Sequence, residues 1–171
     1  MRWLSRRLDG LRGLFGLRIP PVPREPAVLR PIGVVRNSVR APRMDGWEGV
    51  RSDLIFRDDL TGALDGIETY SHIIVIFHLH VVPEGERTTG HIHPRGDPRL
   101  PEQGVLATRS QRRPNAVGVS VVPLLRRRKN ILRVRGLDAI DGTPVLDIKP
   151  YIPHYDSVAD ARVPDWTKAG R

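Results

Sequence analysis

The chain has 171 residues, a length that suits one domain with a core large enough to fold without cross-links. It contains no cysteine, which excludes a disulfide framework and a cysteine nucleophile. The formal net charge of +9 favours a polyanionic partner such as nucleic acid, although an arginine-rich composition also has a codon-bias explanation.

The first 25 residues differ in composition from the rest of the chain. Arginines alternate with leucines and aromatic residues at spacings of three and four, which is compatible with an amphipathic basic helix ending at Pro20. Such a helix could lie on a membrane surface or direct targeting, but we favour a disordered extension over residues 1–27. No run of residues is long and apolar enough to cross a bilayer, so we expect no stable membrane association.

Beyond this extension the pattern is mostly that of β-strands. Only residues 58–67 look helical. Many short strands with scarcely any helix predict an all-β fold, namely a single small antiparallel β-barrel with one or two short helices. We assign the barrel to residues 28–155 and a C-terminal tail to residues 156–171. The predicted strands are rich in β-branched residues and are separated by Gly, Pro and Asp turns; they cover residues 28–36, 73–82, 104–108, 117–125, 131–137 and 145–148.

Two charged turns adjoin apolar strands and indicate a binding site. Residues 109–115 place three guanidinium groups beside an amide, a set that suits capture of a carboxylate or phosphate. Residues 138–144 carry two aspartates and form the acidic counterpart. One cationic and one anionic turn on the same small domain predict a zwitterionic ligand.

The histidines support a competing hypothesis. His78 and His80 end a predicted strand, His91 and His93 follow a loop, and each pair lies on one face of an extended segment. Four converging imidazoles would bind zinc, iron or copper and define a metal-dependent β-barrel enzyme. Because residues 85–90 can hold the second pair away from the first, we expect no metal and keep this enzyme class as an alternative.

Two long motifs carry a more specific resemblance. Residues 104–120 read G-V-L-A-T-R-S-Q-R-R-P-N-A-V-G-V-S, and residues 136–151 read G-L-D-A-I-D-G-T-P-V-L-D-I-K-P-Y. Together with 31–37 and 66–72, they resemble the TsaA-like (TrmO) family of S-adenosylmethionine-dependent tRNA methyltransferases, which are also small β-barrels. The resemblance covers residues 30 to about 165. The chain departs from the family pattern at Leu106, where Phe is usual, and at Ala116-Val117, where Pro-Ile is usual.

The resemblance implies an activity, a cofactor and partners. The reaction would be N6-methylation of threonylcarbamoyladenosine in the tRNA anticodon loop, with S-adenosyl-L-methionine as the methyl donor. A homodimer with the pocket near its interface and a cytoplasmic location would follow. A non-catalytic RNA-binding barrel, with the arginine-rich turn as a phosphate clamp, stays open as a second alternative.

The resemblance also implies roles for individual residues. Arg109 is expected to pair with the methionine carboxylate, and Asp138 or Asp141 with the ammonium or the ribose hydroxyls. The catalytic residue stays open among His80, Asp138 and Asp141. Lys149 is left for RNA together with Arg112, Arg113 and Asn115, although Asp147 lies on the same face of its strand and competes for it. The residues expected to bind the cofactor are Met44, Asp45, Gly46, His80, Val81, Arg109, Val119, Asp138, Ala139, Ile140 and Asp141.

Overall fold

A computed structural model describes residues 25–167. The amphipathic helix predicted before Pro20 lies outside the described residues, as does most of the predicted extension. Within the described part of the chain, no helix has the length and apolar character needed to cross a membrane.

Six antiparallel strands close into a barrel, and this confirms the predicted all-β fold. The strands of the described residues are β1 (Gly33–Arg36), β2 (Arg51–Phe56), β3 (His72–His78), β4 (His91–Ile92), β5 (Gln103–Gly104), β6 (Val117–Arg128), β7 (Ile131–Arg135) and β8 (Pro144–Pro150). The barrel order is β1-β2-β7-β6-β3-β8, while β4 and β5 form a separate two-stranded sheet. Closure leaves the barrel strands no free edge. A short helix, α1 (Pro153–Asp156), follows the last strand.

Alternation along the strands builds the core. On β3, Ile73, Val75 and Phe77 point inward and are almost completely buried, while their neighbours face outward. Leu132 and Val134 on β7 repeat this pattern. The period of two therefore sets which side chains fill the barrel and which remain available on its surface.

One predicted strand is wrong, and the segment predicted to be helical forms short 3₁₀ helices. The strand predicted over residues 104–108 includes only Gly104, the last residue of β5, because a 3₁₀ turn follows in which the Thr108 hydroxyl donates to the Val105 carbonyl at 2.8 Å. Residues 58–67 are not an α-helix but contain 3₁₀ turns, with a further turn at Ile67–Thr69. Of the residues in these three turns, only Leu64 is buried, so the segment lacks a continuous apolar face.

Strand β2 is absent from the sequence-based prediction. Its inward residues Ser52, Leu54 and Phe56 are buried, but charged residues occupy two of the outward positions and disguise the alternation. Asp53 receives two hydrogen bonds from Arg133 on β7, both 2.7 Å long. The charged Asp53 makes this strand hard to recognise in the sequence, but in the fold its ion pair with Arg133 stabilises the pairing of β2 with β7.

A β-bulge divides the long strand β6. The register to β7 shifts between Leu124 and Arg126, so the alternation of inward and outward side chains changes there. Arg127 consequently turns inward and is only 13% exposed. Its guanidinium donates to Asp65 at 2.7 Å, Glu68 at 3.1 Å and the Thr61 carbonyl at 2.8 Å. This arginine closes the barrel end at which β6 finishes.

Candidate ligand-binding site

Two adjoining cavities open at the opposite end of the barrel, where β6 begins and β3 and β7 end. Their volumes are about 200 and 430 Å³. Phe77, Leu79, Gln111 and Asp138 line both cavities, which therefore share a wall. The combined space falls within the range of small-molecule sites.

The first cavity has a mixed lining, in which an aromatic and aliphatic surface lies beside polar side chains. Trp47 and Ile140 contribute to its lining together with Phe77, whose ring is buried in the barrel. The indole nitrogen of Trp47 donates to the Arg43 carbonyl at 3.3 Å, and the Arg43 guanidinium lies 4.7 Å from the indole ring centroid. The loop before β2 therefore presents a fixed aromatic surface to the cavity.

The second cavity brings opposite charges together. Arg109 and Asp138 both line it, although 28 positions separate them in the chain. The Arg109 guanidinium makes no hydrogen bond or ion pair within residues 25–167, whereas the Asp138 carboxylate accepts a hydrogen bond from the Ser120 hydroxyl. The predicted cationic and anionic turns thus meet in one cavity, and this combination suits a zwitterionic ligand.

Asn37 positions the turn that carries Asp138. Its side-chain amide donates to the Ala139 carbonyl at 2.8 Å and to the Ser52 hydroxyl at 3.0 Å. Its backbone amide donates to the Asp141 carboxylate at 3.0 Å. Sequence reasoning missed this role because nothing in the local pattern after β1 connects Asn37 with residues about a hundred positions later.

The two aspartates of the acidic turn have different surroundings. Asp141 does not line either cavity, and its side chain is only 8% exposed. The hydrogen bond from the Asn37 amide, together with the positive charges of Arg40 and Arg36, lowers the pKa of the Asp141 carboxyl. A carboxylate with a lowered pKa is a weaker base, so the structure argues against Asp141 as ligand contact or proton acceptor. Asp138 remains as the acidic candidate.

Most of the other cofactor candidates line one of the two cavities. Met44, His80, Val81, Ala139 and Ile140 line the first, and Val119 lines the second. Asp45 and Gly46 line neither, because the loop presents Arg43, Met44 and Trp47 instead. Lining residues that the sequence analysis did not select include Trp47, Phe77, Leu79, Gln111 and Thr143. Of these, Trp47 carries a local signal, since it is the only aromatic residue between β1 and β2.

Three of the four predicted RNA contacts already have partners in the protein. Arg113 donates to the Thr108 carbonyl at 2.7 Å and to the Ser110 carbonyl at 3.1 Å, so it holds its own turn. The Arg112 guanidinium lies 3.6 Å from the Glu86 carboxylate, and the Lys149 ammonium lies 2.8 Å from the Asp147 carboxylate. Asn115 is exposed. Arg113 is thus a structural residue, while Arg112 and Lys149 form exposed ion pairs that RNA could displace.

The histidine pairs do not assemble a metal site. Among residues 25–167, no three His, Asp or Glu side chains are grouped so as to hold a metal ion. His78 lies on β3, where burial lowers the pKa of its imidazole, while His91 belongs to the separate sheet. His93 contacts the Leu100 carbonyl at 2.9 Å through Nδ1. The geometry therefore gives no support to the metal-dependent alternative.

Fold and site together define a small closed β-barrel with a cleft for a charged small molecule at one rim. The family model of the tRNA-methyltransferase O N-terminal domain matches residues 35–157, and the chain belongs to this family. The family resemblance predicted from the two motifs is thereby confirmed.

Individual relatives agree with this assignment. The chain is 38% identical over 143 residues to the S-adenosyl-L-methionine-binding protein of Archaeoglobus fulgidus, covering 77% of this chain and 94% of that protein. It is 38% identical over 145 residues to the tRNA (adenine(37)-N6)-methyltransferase of Escherichia coli, covering 76% of this chain and 60% of that enzyme. The crystal structure of TrmO from P. aeruginosa matches with a TM-score of 0.69 and 32% identity, covering 85% of this chain and 64% of that one.

Proposed function

We propose that this protein is an S-adenosylmethionine-dependent methyltransferase that N6-methylates threonylcarbamoyladenosine in the tRNA anticodon loop. The observation that carries the proposal is the meeting of Arg109 and Asp138 in the second cavity, beside the first cavity with its apolar surface from Trp47 and Ile140. When bound, S-adenosylmethionine supplies a methyl group on a sulfonium that serves as its own leaving group. Its methionine end is zwitterionic and its adenine has flat aromatic faces with polar edges, so both cavities suit it.

Each end of this ligand has a matching set of side chains. Arg109 binds the methionine carboxylate through a charge-assisted hydrogen bond, because its guanidinium is not engaged by the described protein groups. Asp138 accepts hydrogen bonds from the ammonium or the ribose hydroxyls. Trp47 and Ile140 provide an apolar surface for the adenine. Holding the donor rigidly in this way is the main requirement of an in-line methyl transfer.

His80 is the best-placed proton acceptor. It is exposed at the rim of the first cavity, where a base presented by RNA would approach. Asp141 is engaged with Asn37, Arg36 and Arg40, while Asp138 is assigned to the ligand. If the exocyclic nitrogen loses a proton during transfer, His80 accepts it.

The proposed assembly is a homodimer in the cytoplasm. Its support is an apolar patch on the outer surface of β3 and β6, where Val119 pairs with Ile76 and Val121 pairs with Ile74. Val119 and Val121 are each 51% exposed in the single chain, and both line the second cavity. A second copy packed against this patch would bury it and narrow the cavity.

The reaction is tested by incubating the protein with S-adenosylmethionine and tRNA that contains threonylcarbamoyladenosine, followed by mass spectrometry of the nucleosides. We expect one added methyl group on that nucleoside, inhibition by S-adenosylhomocysteine and full activity after exhaustive chelation, because a sulfonium donor needs no Lewis acid. Activity lost to a chelator and restored by one metal would favour the histidine-based enzyme. Absence of any thermal stabilisation by S-adenosylmethionine would favour the cofactor-free RNA-binding barrel.

Arg109→Gln should weaken S-adenosylmethionine binding by about 10- to 100-fold, since a charge-assisted hydrogen bond contributes roughly 1.5 to 3 kcal/mol. Calorimetric titration measures the change. Arg112→Gln is the matched control, because it removes the same charge from the same turn at a residue that lines neither cavity. Equal affinities for Arg109→Gln and the control would contradict the assignment.

A further inference from the structure

An arginine-rich surface lies outside the two cavities, on the outer side of β2, β7 and the distal half of β6. The β-bulge in β6 creates it, because the shift after Leu124 turns Arg126 and Arg128 outward beside β7. Arg126 is paired with Arg133, and Arg135 with Arg51 of β2. We call this surface the basic face, and it consists of Arg51, Arg126, Arg128, Lys129, Arg133 and Arg135.

The charge of the basic face is largely uncompensated. Asp53 is the only carboxylate among the outward side chains of β2, β7 and the distal part of β6, and Arg133 binds both of its oxygens. The other side chains of the face make no hydrogen bond or ion pair within residues 25–167, and Arg126 has only a longer-range attraction to Asp53. Arg51 and Arg135 stand directly opposite each other, an arrangement that destabilises a sheet.

Other arginines of the chain show that this arrangement is not a general property of its surface. Arg57 pairs with Asp59, and Arg99 pairs with Asp97 at 2.7 Å. Arg127, within the same hairpin as the basic face, is turned inward and bound by two carboxylates and a carbonyl. Apart from Arg133, the residues of the basic face therefore contribute little to the folded state, and within residues 25–167 their charges have no partner and are available to an external one.

The basic face begins at the edge of the candidate site. Arg135 immediately precedes Gly136, which lines the second cavity, and β7 then extends about 14 Å back to Ile131. We propose that the basic face binds the sugar–phosphate backbone of the tRNA whose modified base enters the cavities. This inference rests on the proposed function. Exposed guanidinium groups in a row would fix the register of the RNA through phosphate contacts and leave base recognition to the cavities.

The test compares two double variants of the full chain. Arg51→Gln with Arg135→Gln should weaken tRNA binding roughly tenfold or more at moderate salt and lower the log-log salt slope by about two. Arg95→Gln with Arg99→Gln, which removes the same charge from the loop after β4, should change both quantities much less. An equal loss in the two variants would show that binding follows net charge alone and would overturn the proposal.

Further measurements distinguish a failure of this inference from a failure of the proposed function. Arg135→Gln should leave S-adenosylmethionine affinity unchanged and raise the melting temperature of the free protein, since it removes one of two opposed like charges. A lowered melting temperature would show a structural role instead. If the wild type methylates tRNA and the face variant keeps its KM for tRNA, this inference fails while the proposed function stands. Binding of the face to anionic phospholipid vesicles but not to tRNA would also overturn it.

Discussion

Gly118→Ala is expected to destabilise the protein by about 1 to 3 kcal/mol and to weaken S-adenosylmethionine binding at least roughly tenfold. A Cβ atom at position 118 would lie 2.4 Å from Cε2 and 2.5 Å from Cζ of the Phe77 ring. That ring is 2% exposed and forms part of the wall shared by both cavities. The ring therefore has to move into the cavities or strain the junction of β3 and β6.

Chemical denaturation and calorimetric titration measure the two effects of Gly118→Ala. Gly104→Ala is the matched control, because nothing lies within 4 Å of a Cβ at position 104 and its φ of −56° suits alanine. We expect the control to bind and unfold like the wild type. Wild-type binding by a folded Gly118→Ala protein would mean that the Phe77 ring does not shape the site.

Substitution of the two aspartates of the acidic turn should have different effects, one on ligand affinity and the other on the free energy of unfolding. Asp138→Asn is expected to lower S-adenosylmethionine affinity about 10- to 100-fold with little change in stability, because Asp138 is exposed and faces the ligand. Asp141→Asn should instead lower the free energy of unfolding by about 1 to 3 kcal/mol, because its carboxylate joins Asn37, Arg36 and Arg40. The reverse pattern would exchange the roles assigned to them.

The pH dependence of stability provides a second measurement for Asp141. Folding lowers the pKa of this carboxyl, so the unfolded chain takes up its proton at a higher pH than the folded chain. The stabilisation is complete above the unfolded pKa, near 4, and is lost as the pH falls through the lower folded pKa. Asp141→Asn should therefore weaken the acid dependence of stability relative to the wild type. An unchanged dependence would contradict the lowered pKa.

Local regularity explains which strands could be predicted. The alternation on β3 is regular and its buried residues are strongly apolar, so the sequence alone predicts this strand. On β2, Arg51 and Asp53 occupy outward positions, and only pairing with β7 makes these charges compatible with a strand. The segment after β5 was mistaken for a strand because its residues are apolar, although they form a 3₁₀ turn in which only Val105 is buried and Leu106 is exposed.

The site illustrates the same division between local and distant information. The motifs contain Arg109, Asp138 and Asp141, so the sequence alone predicted one basic and one acidic contact to the same ligand but left the acidic residue open between the two aspartates. Trp47 and the Phe77 ring enter the site only because the loop before β2 and the end of β3 reach the same rim. Asp141 was chosen for its motif, yet its partners come from the end of β1 and the segment that follows it.

The sequence by itself determined the family and the β-barrel class, because the motifs and the period of two are encoded by neighbouring residues. Only the tertiary structure decided which charged side chains are paired within the protein and which remain available to bind a partner. Arg113 stabilises the conformation of its own turn and Arg127 closes the barrel end, whereas Arg51 and Arg135 meet across two strands with no acidic partner among residues 25–167. Charge in a sequence is a local property, but its compensation depends on contacts between distant strands.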